Sequence, residues 1–419
     1  MKRKILIFLL ACVIASVCVF AVACDKDNGS TPLPQKTIVY LGDSIAEALI
    51  GPSPLSERDN YGYYALVARA NNYKYYNHSV SGHKTSGDMM GNVEGGLLYM
   101  LQREEETATL MKTHIKEADI IHISIGGNNL LQYDLGLLML EVADEDFDEK
   151  FAAGNTLINL LHDGGEATRE SLDVDEHGDH RVVNFVFPDT YQDICDIIDI
   201  LREMNPTAKI FFQKVYNPVV GGSKFLYPEL LAALAEITDD GRFGAEGEKI
   251  TTIEQIRAVA QELLNHLNGM FDEYLEDHPG SIYILDANKT FDDYVKTDVR
   301  DGKVYLGDLE HPEYRCKGAE LFFSDWTHPS NIGHAVLAAT TQAKFEELGL
   351  ADANAVENYK QIKIEQVKRM YEGRTKLVDE HKVTFDVVGA IADINAATTF
   401  QGVTDAYFAA IAGYLPKYC

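Results

Sequence analysis

The chain has 419 residues, 46% of them hydrophobic, enough apolar material for the core of one large domain with additions or of two domains. The formal net charge is −28, which excludes the basic face of an ordinary nucleic-acid binder and speaks against adhesion to anionic lipid by charge. Such a charge bears on solubility, not on fold.

Residues 1–24, MKRKILIFLLACVIASVCVFAVAC, put three basic residues ahead of a continuous apolar run that ends in small residues. That is the layout of a secretory signal, to be set apart from the folded domain. The run from Ile5 to Ala23 also approaches the length of a membrane-spanning helix, which is the competing reading. Its tail, AVAC, resembles the lipobox of bacterial lipoproteins, whose cysteine is lipidated and becomes the new N-terminus. Here that residue is Cys24, with Ala21 where leucine is more usual. The resemblance implies a chain exported and lipid-anchored to the outer face of a bacterial membrane, against plain secretion with cleavage nearby. Beyond the signal, Cys195, Cys316 and Cys419 are too widely spaced for a disulfide framework, and no CxxC pair signals a zinc ribbon or redox site.

Residues 25–36 are polar, with glycine and two prolines, and read as a flexible tether. TIVYLGDS then opens a series of short runs rich in β-branched and aromatic residues. Four more follow: YKYYNHSV near 73–80, ADIIHISIGG at 118–127, AKIFFQKVYNP at 208–218 and GSIYILDAN at 280–288. Helical patterns lie between them. In TTIEQIRAVAQELLNHLNGMFDEYLEDH the residues Ile253, Ile256, Val259, Leu263, Leu267, Met270 and Phe271 recur at helical spacing. Strands alternating with helices predict an α/β fold, a three-layer α/β/α sandwich on a mostly parallel five-stranded sheet. Connections near 130–190 and 220–320 exceed simple crossovers and read as insertions at strand ends, where such enzymes build pockets. The catalytic domain is expected over 37–349, and 350–419 reads as a C-terminal helical extension.

The chemistry-bearing residues fall at strand ends. IVYLGDSIAEAL ends a strand at Gly42 and predicts a helix just after Ser44, which places a serine at the ligand-binding edge of the sheet. Asp43 or Ser44 as a plain helix cap is the bland reading. NHSVSGHKTSG follows the second strand and ISIGGNNLL ends the third. A glycine there lets backbone N–H approach a reacting carbonyl, and an asparagine amide can donate to the same oxygen. Near the end, SDWTHPSNIGH spaces Asp325 and His328 three apart, with Pro329 fixing the backbone and Trp326, the one tryptophan, between them. A carboxylate beside an imidazole is the orienting half of a nucleophilic triad; the bland reading is a surface turn.

In this order the blocks resemble the GDSL, or SGNH, family of serine esterases and lipases. The matching residues are Gly42-Asp43-Ser44, then Gly82, then Gly126-Gly127-Asn128, then Asp325-Trp326-Thr327-His328. The resemblance implies an SGNH-hydrolase-like fold in which Ser44 is the nucleophile, His328 the base and Asp325 the orienting acid. The oxyanion hole would be Ser44 N–H, Gly82 N–H and the Asn128 amide. The chain departs from the pattern at Ile45, where leucine is usual, and at Asn129, where the block often continues with aspartate.

The implied function is an exported carboxylic ester hydrolase that works through an acyl-enzyme and needs no metal or organic cofactor. Short acyl esters of carbohydrate or small alcohols are the expected substrates. A lipase or lysophospholipase is the alternative within the class. A non-catalytic surface binding protein on a hydrolase fold is the alternative outside it. The implied partners are a small-molecule or glycan ester and, through Cys24, the membrane; nucleic acid is not among them. Four weaker signals are set against this reading. DVDEHGDH, Asp173 to His180, resembles a calcium loop but lacks an oxygen ligand at His177 and an acid at Asn184. His122 alternates within a strand and reads as a core histidine. Tyr61, Tyr63 and Tyr64 read as core packing against a sugar platform. Asp286, ending the fifth strand, is the backup carboxylate.

Overall fold

Alternation along the first strand builds two cores at once. In β1 (Thr37–Gly42) Ile38 and Tyr40 enter one apolar core while Val39 and Leu41 enter another on the opposite face. Successive side chains of a strand point to opposite faces, so a strand apolar at every position must be covered on both sides. β3 (Ile120–Ser124) and β4 (Lys209–Gln213) repeat the pattern: Ile120 and Phe211 lie in the first core, and Ile121, Ile123, Ile210 and Phe212 in the second.

This computed structural model describes residues 35–49, 58–88, 92, 94–104, 106–130, 186–221, 231, 235, 241, 243–309, 316–322, 327–378 and 380–414. The signal with Cys24, nearly all of the tether, most of the 130–190 insertion with its calcium-like loop, Asp325, Trp326 and Cys419 lie outside the described residues.

With β2 (Lys74–Asn77) and β5 (Tyr283–Leu285), the strands form a five-stranded sheet in the order β2-β1-β3-β4-β5, every neighbouring pair parallel. Parallel neighbours require crossovers, and helices supply them on both faces. The second core is covered by α3 (Leu97–Gln102), α4 (Glu106–Glu117), α6 (Val186–Met204) and α7 (Ile253–Asp277). Between α4 and α6 lies the short α5 (Gly127–Leu130). The expected helix through 253–277 forms, opened by a capping box in which Thr252 and Gln255 satisfy each other's backbone N–H. The first core is covered by α2 (Tyr63–Ala70), which follows the short α1 (Arg58–Tyr61), by α8 (Ala287–Val295) and by α9 (Asn331–Glu347). The fold is thus the expected three-layer α/β/α sandwich, with an order that reverses between β1 and β3.

Residues 350–414 add to the first core. Tyr359, Phe400, Val403 and Tyr407, from α10 (Ala355–Gln366) and α12 (Phe400–Ile411), belong to the same buried cluster as Tyr40 and Tyr63. The chain from Lys36 onward is one compact unit. The extension is not wholly helical. A π-helical segment (Val367–Tyr371) is followed by Gly373, whose φ is 78°, and an antiparallel hairpin of β8 (Thr375–Val378) and β9 (His381–Thr384) precedes α11 (Val387–Ala396). β-Branched Thr375, Val378, Val383 and Thr384 favour that hairpin over a continued helix. A second small hairpin, β6 (Val299–Arg300) and β7 (Lys303–Val304), follows α8.

The helix expected just after Ser44 does not form. Residues 43–48 are a run of turns, with Glu47 N–H donating to Asp43 O, Ala48 N–H to Ile45 O and Leu49 N–H to Ser44 O. Three different hydrogen-bond spans in succession are not a helix, and Ala48 sits in the left-handed region at φ 56°. Ser44 is therefore presented by a tight turn, not by a helix N-terminus.

Candidate active site

β1 and β3 are adjacent, Gly42 in register with Ser124, and the chain leaves both at the reversal in strand order. Ligands of open α/β sheets bind at such a switch point, outside the carboxyl ends of the strands. Gly42 is required there. Its φ is 138°, and a Cβ would lie 1.9 Å from the Ser124 carbonyl oxygen. This close approach lets Asp43 N–H donate to Ser124 O at 3.1 Å, so the strand ends are tied and Ser44 emerges above them. Asp43 is buried beneath the turn, where its carboxylate accepts the Ile45 N–H at 2.9 Å. Burial pushes the Asp43 carboxyl up to about 7, against the Ile45 N–H and the nearby His328, which draw it down.

The loop after β2 is tied to the same turn. His78 N–H donates to Tyr40 O and Val80 N–H to Gly42 O, each at 2.9 Å. Asn77 donates its amide to Ala46 O at 2.7 Å and accepts Ser79 N–H at 3.0 Å. Gly82 follows at φ 83°, a conformation glycine adopts without strain. After β3, Gly126 turns the chain and α5 carries Asn128, whose side-chain amide gives one hydrogen to His83 O at 2.8 Å and keeps a second. Asn129, where the family pattern often has aspartate, supports the loop through a buried amide. It accepts Thr85 N–H at 3.1 Å and donates to Thr85 Oγ1 at 2.8 Å and Thr190 Oγ1 at 3.0 Å.

His328 arrives from the other side. Tyr216 donates its hydroxyl to Thr327 O at 2.7 Å, Pro329 bridges Phe322, and Ser330 N–H donates to Leu321 O at 2.8 Å before Ser330 caps α9. The histidine is thus pinned on both sides of its own position.

These segments meet at a cavity of about 350 Å³. Ser44, Gly82, Asn128 and His328 all line it, as do the apolar Ile45, Leu49, Val215 and Pro218. Neither Ser44 N–H nor Gly82 N–H has a hydrogen-bond partner among the described residues. Asp325 lies outside the described residues. Asp286, the backup carboxylate, accepts Lys289 N–H at 2.9 Å as the cap of α8 and does not line the cavity. His122 and Tyr61, Tyr63 and Tyr64 are buried, as core packing requires. Sequence reasoning missed Ser81, Gln213 and Tyr216, which also line the cavity. Gln213 ends β4 and Tyr216 lies three residues beyond it, both within the predicted run 208–218, so the strand-end rule that found Ser44 could have flagged them.

No family model matches the chain, and no curated protein does. Among solved structures the chain is similar to the lipase Lip_vut3 from a goat rumen metagenome, at 16% identity and a TM-score of 0.37, over 74% of this chain and 97% of that one. It is similar to a family two carbohydrate esterase with a carbohydrate-binding domain from Corynascus thermopiles (Myceliophthora fergusii), at 12% identity and a TM-score of 0.39, over 77% and 69%. It is also similar to phospholipase A1 from Streptomyces albidoflavus NA297, at 14% identity and a TM-score of 0.34, over 65% and 93%.

Proposed function

We propose that the chain is a serine ester hydrolase of the GDSL type acting at this cavity. One observation carries the reading: a serine, a glycine, an asparagine and a histidine from four distant segments line one cavity at the switch point of the sheet. In the proposed reaction the Ser44 hydroxyl attacks the ester carbonyl carbon and passes its proton to the His328 imidazole. Ser44 N–H, Gly82 N–H and the remaining Asn128 amide hydrogen receive the oxyanion. The tetrahedral intermediate collapses, the alcohol leaves with the proton from His328, and water then hydrolyses the acyl-enzyme by the same route. Asp325 is assigned to orient His328 on its spacing in the sequence.

The apolar walls Ile45, Leu49, Val215 and Pro218 suit an acyl chain, and about 350 Å³ is at the small end for ligand cavities, which favours a short acyl group. Export and lipid anchorage at Cys24 are proposed from the signal sequence alone. Fractionation of the producing cell tests them: Cys24→Ala should lose membrane partition, and wild type found wholly soluble outside the cell would refute the anchor.

The catalytic reading is tested with p-nitrophenyl esters of increasing chain length. Wild type should hydrolyse the acetate with burst release and favour short chains. Ser44→Ala and His328→Ala should each abolish turnover with unfolding midpoints unchanged, and the double variant should be no worse than either. Turnover surviving in purified Ser44→Ala refutes the nucleophile. A rate rising steadily with chain length moves the assignment to a lipase.

A further inference from the structure

We propose that Glu47 is a positioning residue of the oxyanion hole, a carboxylate that locks the Gly82 loop to the Ser44 turn. Glu47 lies three residues after Ser44, and one of its oxygens accepts Ser81 N–H at 2.7 Å and the Ser81 hydroxyl. Its other oxygen is held by the Arg58 guanidinium at the start of α1. Ser81 and Gly82 line the cavity; Glu47 does not. The carboxylate therefore acts from behind, through Ser81, the residue that precedes the proposed donor.

The geometry makes this contact matter. Gly82 N–H belongs to the peptide unit joining Ser81 to Gly82, the central unit of a turn closed by His83 N–H donating to Val80 O at 3.2 Å, and the glycine, whose φ lies in the left-handed region, lets that unit rotate within the turn. Bonds from Val80 N–H to Gly42 O and from Ser79 N–H to Asn77 fix the loop up to residue 80. Beyond it, Glu47 supplies the anchor at residue 81, immediately before the donor. The serine turn and the oxyanion loop are 34 residues apart at this bond and become one rigid unit through it. Arg58 keeps the half-buried carboxylate aimed. Partial burial works to raise the Glu47 carboxyl, but the bonds from Ser81 and Arg58 outweigh burial and hold it below the usual range. Behind α1, Gln366 of α10 donates its amide to Asn60 O, so residues added after the sandwich brace the element that holds Arg58.

The proposal rests on reading Gly82 N–H as an oxyanion donor, and the experiment separates the two. Glu47→Ala, Glu47→Gln and Glu47→Asp are compared for kcat, KM and affinity for a small alkyl boronic acid, which forms a tetrahedral adduct on a nucleophilic serine. Losing a whole oxyanion donor costs about 100–1,000-fold in kcat, so a donor left misaimed should cost about 10–100-fold. Glu47→Ala should show that loss in kcat with KM within about threefold, and boronate affinity should fall in parallel, because only the tetrahedral species needs the hole. Glutamine keeps an oxygen for Ser81 N–H but turns its amide NH2 toward the Arg58 guanidinium, and should recover part of the rate. Aspartate keeps the charge but is one methylene too short, and should behave like alanine; it also serves if Glu47→Ala does not fold. Glu47→Asp at wild-type kcat with Glu47→Gln impaired would show that charge and not reach matters, and would overturn the proposal. So would Glu47→Ala with unchanged kcat. Turnover surviving in Ser44→Ala, by contrast, would remove the catalytic reading on which both rest.

Discussion

Asn129 offers a test of how the Gly82 loop is supported, because the residue usual at that place in the resembling family should fail here. Thr85 and Thr190 are fully buried and Asn129 nearly so. The Thr85 hydroxyl gives its proton to Asp193 Oδ2 at 2.6 Å, since a carboxylate only accepts. What Thr85 Oγ1 presents to residue 129 is lone pairs, and Asn129 Nδ2 answers with a donor at 2.8 Å. In Asn129→Asp that contact becomes oxygen against oxygen, while the Thr85 N–H and a rotated Thr190 hydroxyl can still donate to the new carboxylate. Removing one partner of a buried hydrogen bond leaves a polar group unsatisfied at about 1–3 kcal/mol, and that is the expected loss. The new carboxyl can relieve part of this by taking up a proton, so its folded-state pKa is raised above the unfolded value of about 3.9. The sign follows: the penalty is least below pH ~4 and grows as pH rises toward the folded pKa. Urea unfolding at pH 5 and pH 8 measures it. Exchanging the partners, Asn129→Asp with Asp193→Asn, reverses the direction of the Thr85 hydroxyl and should restore more than half of the loss. Asn129→Asp within about 0.5 kcal/mol of wild type at pH 8, or a penalty that shrinks with rising pH, would refute the reasoning.

Two titrations in the core and site should be visible in stability. Asp43, raised by burial to about 7, contributes stability that is present below pH ~4 and lost as pH rises through about 7; Asp43→Asn should remove that slope, and parallel pH profiles for the two proteins would contradict the assignment. His122, pushed down to about 3 by burial, has no hydrogen-bond partner for either ring nitrogen among the described residues, and packs between Tyr40 and Tyr63 at ring-centroid distances of 5.1 and 5.2 Å. Its contribution is full above pH ~6.5 and declines as pH falls toward about 3, so His122→Phe should gain on wild type in acid, read from unfolding midpoints between pH 7 and 4.

The sequence by itself determined the layering. Strands with apolar residues on both faces, such as IVYL and IIHI, must be buried on two sides, and the helical spacing of Ile253 to Phe271 supplies one of the covers. These are local periodicities, set by residues within a few positions of one another. The strand ends carrying Ser44, Gly82 and Asn128 were legible for the same reason. Local rules failed where a long-range partner chose the conformation. Asp43-Ser44 before IAEAL reads as a capped helix, yet Ala48 takes a left-handed backbone, and the turn is held by Asn77, 31 residues on from Ala46. TKLVDEHKVT reads with the helices around it, but Gly373 and β-branched residues make it a hairpin. Nor could spacing pair Glu47 with Ser81, Asn128 with His83 or Asn129 with Thr190, which lie 34, 45 and 61 residues apart. Only the tertiary structure decided these pairings. The parallel sheet returns each strand end to one edge through long crossovers, and a short polar side chain then bonds whichever backbone group packing leaves within hydrogen-bond reach.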